Sequence, residues 1–334
     1  MTLLIWGSGA IGGTIGAYLV RAGIDVHFVD TAVDHVAAIN TDGLAIEGPI
    51  EAFTVPARAS LPQDVSGTFD AVWLCTKAQH TSAATEAIMP HLAPDGHILS
   101  LQNGLTELII ADIAGRERTL GAFINFGADY LAPGRILYGG NGACVVGELD
   151  GTTTSRLTET RTLLCHFEPE AITTPTIFGY LWGKLGYGAL LFATALTNDS
   201  IADVLANPSC RATLTALAME MNAVAAAEGV TPLGFNGYDP ALFRPSADPS
   251  PSFDAMVAHN AKSAKSHSGI WRDLAVRKRK TEADPILTKP VAIGAAHGIA
   301  MPLTCRLIAL IEAIERGERA LSADNLAALA EETP

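Results

Sequence analysis

Six residues into the chain, a short apolar run, Leu3-Leu4-Ile5-Trp6, meets the turn Gly7-Ser8-Gly9-Ala10-Ile11-Gly12. Small residues at helical spacing follow from Gly13 to Val20. Strand, glycine-rich turn and helix in that order form the dinucleotide fingerprint in its structural setting, which constrains the fold more than any other feature of the chain. The first glycine permits a tight turn, the second lets backbone approach a pyrophosphate, and the third lets helix and strand pack closely. Phosphates then sit at a helix N-terminus, where open N–H groups and the helix dipole favour negative charge. A second strand, Asp25-Val26-His27-Phe28-Val29, ends in Asp30, which lies 30 − 12 = 18 residues past the last glycine. A carboxylate there accepts from the ribose hydroxyls of NAD and repels the 2′-phosphate of NADP, so NAD(H) is expected in preference to NADP(H).

The 334 residues suggest two domains. With 49% apolar and 17% charged residues the chain reads as globular. Its formal net charge of −13 argues against nucleic acid or an anionic membrane as partner. The exception, Arg277-Lys278-Arg279-Lys280, reads as a solvated helix face or as a local anion site. Five scattered cysteines, with no CxxC and no metal-ligand spacing, point to a reducing, cytoplasmic setting without a metal. The apolar N-terminus lacks a basic n-region, and the fingerprint occupies its would-be leader core, so no secretory leader is expected.

Strand patterns at 2–6, 25–29, 70–75, 97–101 and 119–124 alternate with helical stretches such as 81–92 and 105–114, which implies a doubly wound parallel sheet. Between Gly121 and Gly151, Ala132-Pro133-Gly134 and Gly139-Gly140-Asn141-Gly142 punctuate short β-like runs, read as antiparallel strands appended to the sheet edge. Segments 181–229, 252–280 and 285–316 carry helical spacing, and Ile172-Thr173-Thr174-Pro175 reads as a linker. The expected organisation is an α/β Rossmann-type dinucleotide-binding domain over 1–174 and an all-α substrate domain over 175–334, with the active site where they meet.

Several short motifs, in this order, resemble the ketopantoate reductase (2-dehydropantoate 2-reductase) family over nearly the whole chain. They are Cys75-Thr76-Lys77-Ala78, Leu101-Gln102-Asn103-Gly104, Pro133-Gly134-Arg135-Ile136 through Gly147-Glu148-Leu149-Asp150-Gly151, Leu181-Trp182-Gly183-Lys184-Leu185, Lys280-Thr281-Glu282-Ala283-Asp284 and Gly298-Ile299-Ala300-Met301-Pro302. The resemblance implies hydride transfer between a nicotinamide and the carbonyl of a 2-oxo acid or related ketone, or the reverse oxidation of an alcohol. It gives Lys184 the role of general acid/base, Glu282 that of placing substrate and lysine, Asn103 a place by nicotinamide and substrate, and Lys77 a cofactor contact. A lysine suits the proton transfer because burial or neighbouring charge can bring an ammonium pKa toward working pH. Taken without the resemblance, Lys184 reads as a snorkelling side chain, Glu282 as an i, i+4 partner of Lys278, and Asn103-Gly104 as an ordinary turn.

The chain also departs from the family pattern. Where the family carries asparagines one and two turns after the lysine, this sequence has Gly188 and Phe192. A family serine is replaced by Gly269 beside Ser268, and the stretch from Asp273 to Glu282 is one residue longer. Neither glycine nor phenylalanine has a side-chain hydrogen-bond donor, so a bulkier or less hydroxylated substrate than ketopantoate is expected. The segment Lys265-Ser266-His267-Ser268-Gly269-Ile270-Trp271-Arg272-Asp273 could supply replacement contacts: Arg272 for a carboxylate, His267 or Ser268 for an oxygen. The bland reading pairs Arg272 with Asp273 and buries Trp271. Two alternatives stand beside the reductase: opine-dehydrogenase-like imine reduction using His267 and Asp273, and a non-catalytic NAD-binding sensor. The expected partner is a small carbonyl or alcohol, with a homodimer as the assembly considered.

Overall fold

The computed structural model describes residues 2–262 and 266–331. Two compact units divide the chain, Met1–Ile177 and Phe178–Pro334. The expected division at 174/175 stops short of Ile177 because that side chain packs in the first unit. A Cβ placed on Gly121 or Gly147 would lie 3.0 or 2.9 Å from it.

Among the described residues, ten strands form one sheet: β1 (Leu3–Trp6), β2 (Val26–Val29), β3 (Leu44–Glu47), β4 (Phe53–Val55), β5 (Arg58–Ser60), β6 (Phe69–Leu74), β7 (Leu92–Ser100), β8 (Thr119–Ala132), β9 (Arg135–Glu148) and β10 (Ile172–Thr173). Helices α1 (Ala10–Arg21), α2 (Val33–Asp42), α3 (Thr81–Ile88), α4 (Thr106–Ala114) and α5 (Ser155–Leu164) accompany them. The order is β4-β3-β9-β8-β7-β6-β1-β2-β5, with β10 on β9. From β5 to β8 every pairing is parallel. Strands buried on both faces are near-continuous apolar runs, as Leu3–Trp6 and Ala71–Leu74 show.

Three expectations about this unit need correction. The β8–β9 hairpin is not at the sheet edge, because β3 pairs with β9 and β4 with β3, and neither strand was foreseen. Gly139–Gly142 is not a turn but lies inside β9. There the strands pass so closely that a Cβ on Gly142 would overlap the carbonyl of Asn125. The supposed linker at 172–173 is β10, paired with Val145 and Val146.

A buried polar group in this unit carries a pH signature. His97 on β7 is 7% exposed, and its Nε2 has no hydrogen-bond partner among the described residues. Burial, with Arg156 nearby, pushes its pKa down to about 4. Unfolded, the imidazole titrates near 6.5. Above that pH neither state is protonated. Between 6.5 and 4 only the unfolded chain binds the proton, so stability falls as pH drops, by about 3 kcal/mol at most, and the effect is complete below 4. We expect His97→Phe to flatten this limb of the stability curve; an unchanged slope in urea denaturation between pH 6.5 and 4.5 would refute the assignment.

The second unit is helical: α6 (Ile177–Thr194, whose first residue belongs to the first unit), α7 (Ile201–Ala206), α8 (Pro208–Ala227), α9 (Ser250–Ala261), α10 (Gly269–Arg272), α11 (Ala283–Ala296), α12 (Pro302–Glu315) and α13 (Asp324–Ala330). Small residues let neighbouring backbone lie directly on α6. Leu233 N–H donates to the Gly179 carbonyl at 2.8 Å, and a Cβ on Gly183 would overlap the Leu233 carbonyl. The expected helix over 252–280 is broken instead. After α10, residues Asp273–Arg277 form a π turn that ends at Lys278 with φ +48°. A π turn holds one more residue than an α turn, which accommodates the extra residue of this stretch. Among the described residues, no helix is long and apolar enough to cross a membrane.

Candidate functional site

In the first unit the predicted nucleotide residues gather at the carboxyl ends of β1, β2, β6 and β7, where open α/β sheets bind ligands. Gly7 has φ +101°, and a Cβ there would sit 2.8 Å from Thr76 N. At Gly12 a Cβ would overlap the Gly7 carbonyl and approach Cys75, so only glycine lets α1 start against the turn. Gly9 between them has nothing within 4 Å of its would-be Cβ, which leaves the helix entrance open for a ligand. The donor geometry and the open cradle fit the pyrophosphate of a dinucleotide.

Asp30 leaves β2 half-buried and is held from two sides. Ser8 N–H and Ser8 Oγ–H donate to Oδ2 at 3.0 and 3.1 Å, and Ala32 N–H donates to Oδ1 at 3.1 Å. A carboxylate accepts at about four lone-pair sites, so by this count one site on Oδ1 remains for a ribose hydroxyl. Lys77 and Asn103 are exposed at the ends of β6 and β7. A residue not singled out from the sequence joins their loops. Gln102 is 4% exposed, and its Nε2 donates to the Thr76 carbonyl, Thr76 Oγ1 and Thr81 Oγ1 at 2.8, 3.2 and 3.0 Å.

The other predicted residues belong to the second unit. Between Leu181 and Ala193 every residue of α6 is buried except Lys184, Gly188 and Leu191, which are half-buried. Their i, i+4, i+7 spacing puts them on one face. Gly188 opens that face, since a Cβ there would meet only Phe192 Cε2 at 4.0 Å. Phe192 itself is 6% exposed and makes this part of α6 apolar. Glu282 is buried at the start of α11. Its loop is fixed by Thr281 N–H donating to Glu315 at 2.7 Å. Lys278, with φ +48°, breaks the helical register that an i, i+4 pair with Glu282 requires; Lys280, ahead of α11, instead lies 3.8 Å from Asp284 in that helix's first turn.

The donor-rich segment is largely occupied with its own structure. His267 Nε2–H donates to the Asn198 carbonyl at 3.0 Å, so Nδ1 accepts from Ser266 Oγ–H at 2.8 Å, and the ring stacks on Trp271 with centroids 4.0 Å apart. Ser268 caps α10 by accepting from Trp271 N–H at 3.2 Å. Asp273 is buried and pairs with Arg277 and Arg279 at 2.9 and 3.0 Å, which also explains half of the basic run. The pairing of His267 with Asp273 that imine reduction would need is therefore not what this geometry supplies. Arg272 is half-buried, and Lys265 lies outside the described residues.

Comparison with known proteins identifies the family. Residues 3–151 match the family described as ketopantoate reductase PanE/ApbA, and residues 177–315 match its C-terminal family. A 2-dehydropantoate 2-reductase of Archaeoglobus fulgidus is 28% identical over 318 residues, covering 94% of this chain and 97% of the relative. The crystal structure of a PanE/ApbA family ketopantoate reductase from Ralstonia eutropha JMP134 superposes with a TM-score of 0.81 at 27% identity, covering 96% of this chain and all of that one. D-mandelate dehydrogenase, solved with NADH and anilino(oxo)acetate, shares the fold with a TM-score of 0.80 at 21% identity, over 95% and 99% of the two chains. Matched in both units and along nearly its whole length, the chain belongs to the ketopantoate reductase family of nicotinamide-dependent oxidoreductases acting on a keto group.

Proposed function

We propose that this enzyme interconverts an apolar 2-oxo acid, or a related ketone, and the matching alcohol, with NAD(H) preferred over NADP(H) and Lys184 as general acid/base. The observation that carries the reading is the open face of α6, where a lysine stands one turn from a glycine with free space beside it. When bound, the nicotinamide supplies or takes the hydride. Lys184 gives a proton to the carbonyl oxygen as charge develops there, and takes it back in the oxidation direction. Glu282 and Asn103 place the lysine and the reacting carbon. Gly7 to Gly12 hold the pyrophosphate, Asp30 the ribose, and Lys77 a further part of the cofactor.

The substrate preference follows from Gly188 and Phe192. A polar substrate loses two amide partners, and a bulky apolar side chain gains volume and an aromatic surface. That D-mandelate dehydrogenase was solved with NADH and anilino(oxo)acetate is in keeping with this reading. The test follows absorbance of NADH and NADPH in parallel with ketopantoate and with 2-oxo acids bearing branched or aromatic side chains. The expected result is NADH-linked turnover of an apolar 2-oxo acid at least about tenfold more efficient than ketopantoate reduction. Equal or better ketopantoate reduction, or NADPH used as well as NADH, overturns the substrate or the cofactor part respectively.

Because nothing but Phe192 approaches a Cβ at 188, the Cβ of Gly188→Asn meets no neighbouring backbone. It is expected to raise kcat/KM for ketopantoate by about tenfold, the worth of one strong hydrogen bond, and to lower it for the bulky substrate. No gain on ketopantoate would mean that this face of α6 does not contact substrate.

A further inference from the structure

We propose that His35, the third residue of α2, is a positioning residue for the cofactor pyrophosphate, acting through the Ser8–Gly9 peptide. The inference rests on the dinucleotide reading of the glycine-rich turn. His35 is 1% exposed. The Gly134 N–H donates to its Nδ1 at 2.9 Å. Nδ1 is therefore the acceptor nitrogen, and Nε2–H donates to the Ser8 carbonyl at 2.9 Å. The ring is held from its side by Tyr130, with centroids 5.1 Å apart at 69°. Gly134, at the turn of the β8–β9 hairpin with φ +70°, is itself anchored, because its carbonyl accepts from Ala45 N–H on β3 at 2.8 Å.

The consequence lies in peptide geometry. In a trans peptide the C=O and the following N–H point in opposite directions, and the chain has no cis bond among the described residues. With the Ser8 carbonyl drawn to His35, the Gly9 N–H is turned away from it. Gly9 is the residue at the entrance to α1, has nothing within 4 Å of its would-be Cβ, and its N–H has no acceptor among the described residues. Ser8 is meanwhile held at its other end, where its N–H and hydroxyl both donate to Asp30. One buried imidazole thus fixes the peptide whose N–H faces the phosphate site, and ties it to a hairpin turn 99 residues beyond the histidine in sequence.

The test uses the full chain and direct binding rather than turnover. NADH and ADP are titrated by fluorescence and calorimetry, with adenosine as the phosphate-free control. His35→Leu removes the donor to Ser8 and is expected to weaken NADH and ADP by about tenfold or more while leaving adenosine within about twofold. His35→Gln, whose amide N–H reaches where Nε2–H does, is expected to stay within about threefold of wild type. Unchanged NADH and ADP affinity in the Leu variant, an equal loss for adenosine, or a Gln variant as weak as the Leu variant would each overturn the proposal. Failure of the wild-type protein to bind NADH, NADPH and ADP alike would instead remove the dinucleotide site on which it rests.

Discussion

Lys184→Ala is expected to lower kcat for carbonyl reduction by about 10²- to 10⁴-fold, the range contributed by a positioned general acid. The affinity for NADH should stay within about twofold, because the residues proposed to bind the dinucleotide belong to the other unit. The fold should survive, since Lys184 is one of three half-buried positions in a run of α6 that is otherwise buried. Lys184→Arg makes the test sharper. Guanidinium keeps the charge but does not release a proton at working pH, so it should be nearly as inactive as alanine. A purely electrostatic role would let arginine rescue. Steady-state rates with saturating NADH decide the matter, and an alanine variant within about fivefold of wild type would remove Lys184 from the mechanism.

Asp30 carries the second large effect. Wild type is expected to favour NADH over NADPH by about 10²-fold in kcat/KM, and Asp30→Asn to collapse that ratio to about unity. Hydrogen bonds to a charged acceptor are worth about 1.5–3 kcal/mol, or roughly 10- to 150-fold. Losing the charge both weakens the ribose contact and lifts the repulsion of a 2′-phosphate. Asparagine is chosen because its carbonyl oxygen can still accept from Ser8 N–H and Oγ–H; its amide nitrogen cannot accept from Ala32 N–H, so that one bond is given up. Asp30→Ala would also release Ser8 and is expected to lose affinity for both cofactors. Parallel NADH and NADPH kinetics on the Asn variant give the answer. A ratio unchanged by Asp30→Asn would show that cofactor choice is made elsewhere.

Much of the first unit was legible because its signals are local. Leu3–Trp6 and Asp25–Val29 are apolar runs next to a glycine turn, and the pattern of turn, helix and strand-end acid needs no distant partner to be read. The strands that were missed are those whose identity depends on distant partners. Leu44–Glu47 is four residues long and becomes a strand by pairing with Arg135–Leu137. Gly139–Gly142 looks like a turn because glycine usually punctuates, yet here it relieves a close crossing with Asn125. The same distinction applies to the site. The glycines, Asp30 and Lys184 sit in motifs, whereas His35 gains its importance from Ser8, 27 residues back, and Gly134, 99 residues ahead. Ser268 and His267 were read as ligand groups because their chemistry allows it. The structure uses one as a helix cap and the other as a brace on Asn198, uses that residue type alone does not distinguish from binding.

The pairing of β3 with β9 has a consequence for how the chain is made. During synthesis β1 and β2 can meet early, but β3 reaches its parallel partner only after residues 135–137 have left the ribosome, 135 − 47 = 88 residues later. At about 5–20 residues per second that is a wait of roughly 4–18 s. Through this interval the β3–β4 hairpin presents an unpaired edge to solvent, the kind of edge that recruits other chains. The nascent protein is thus exposed to aggregation, and dependent on chaperones, until the start of its middle third is translated.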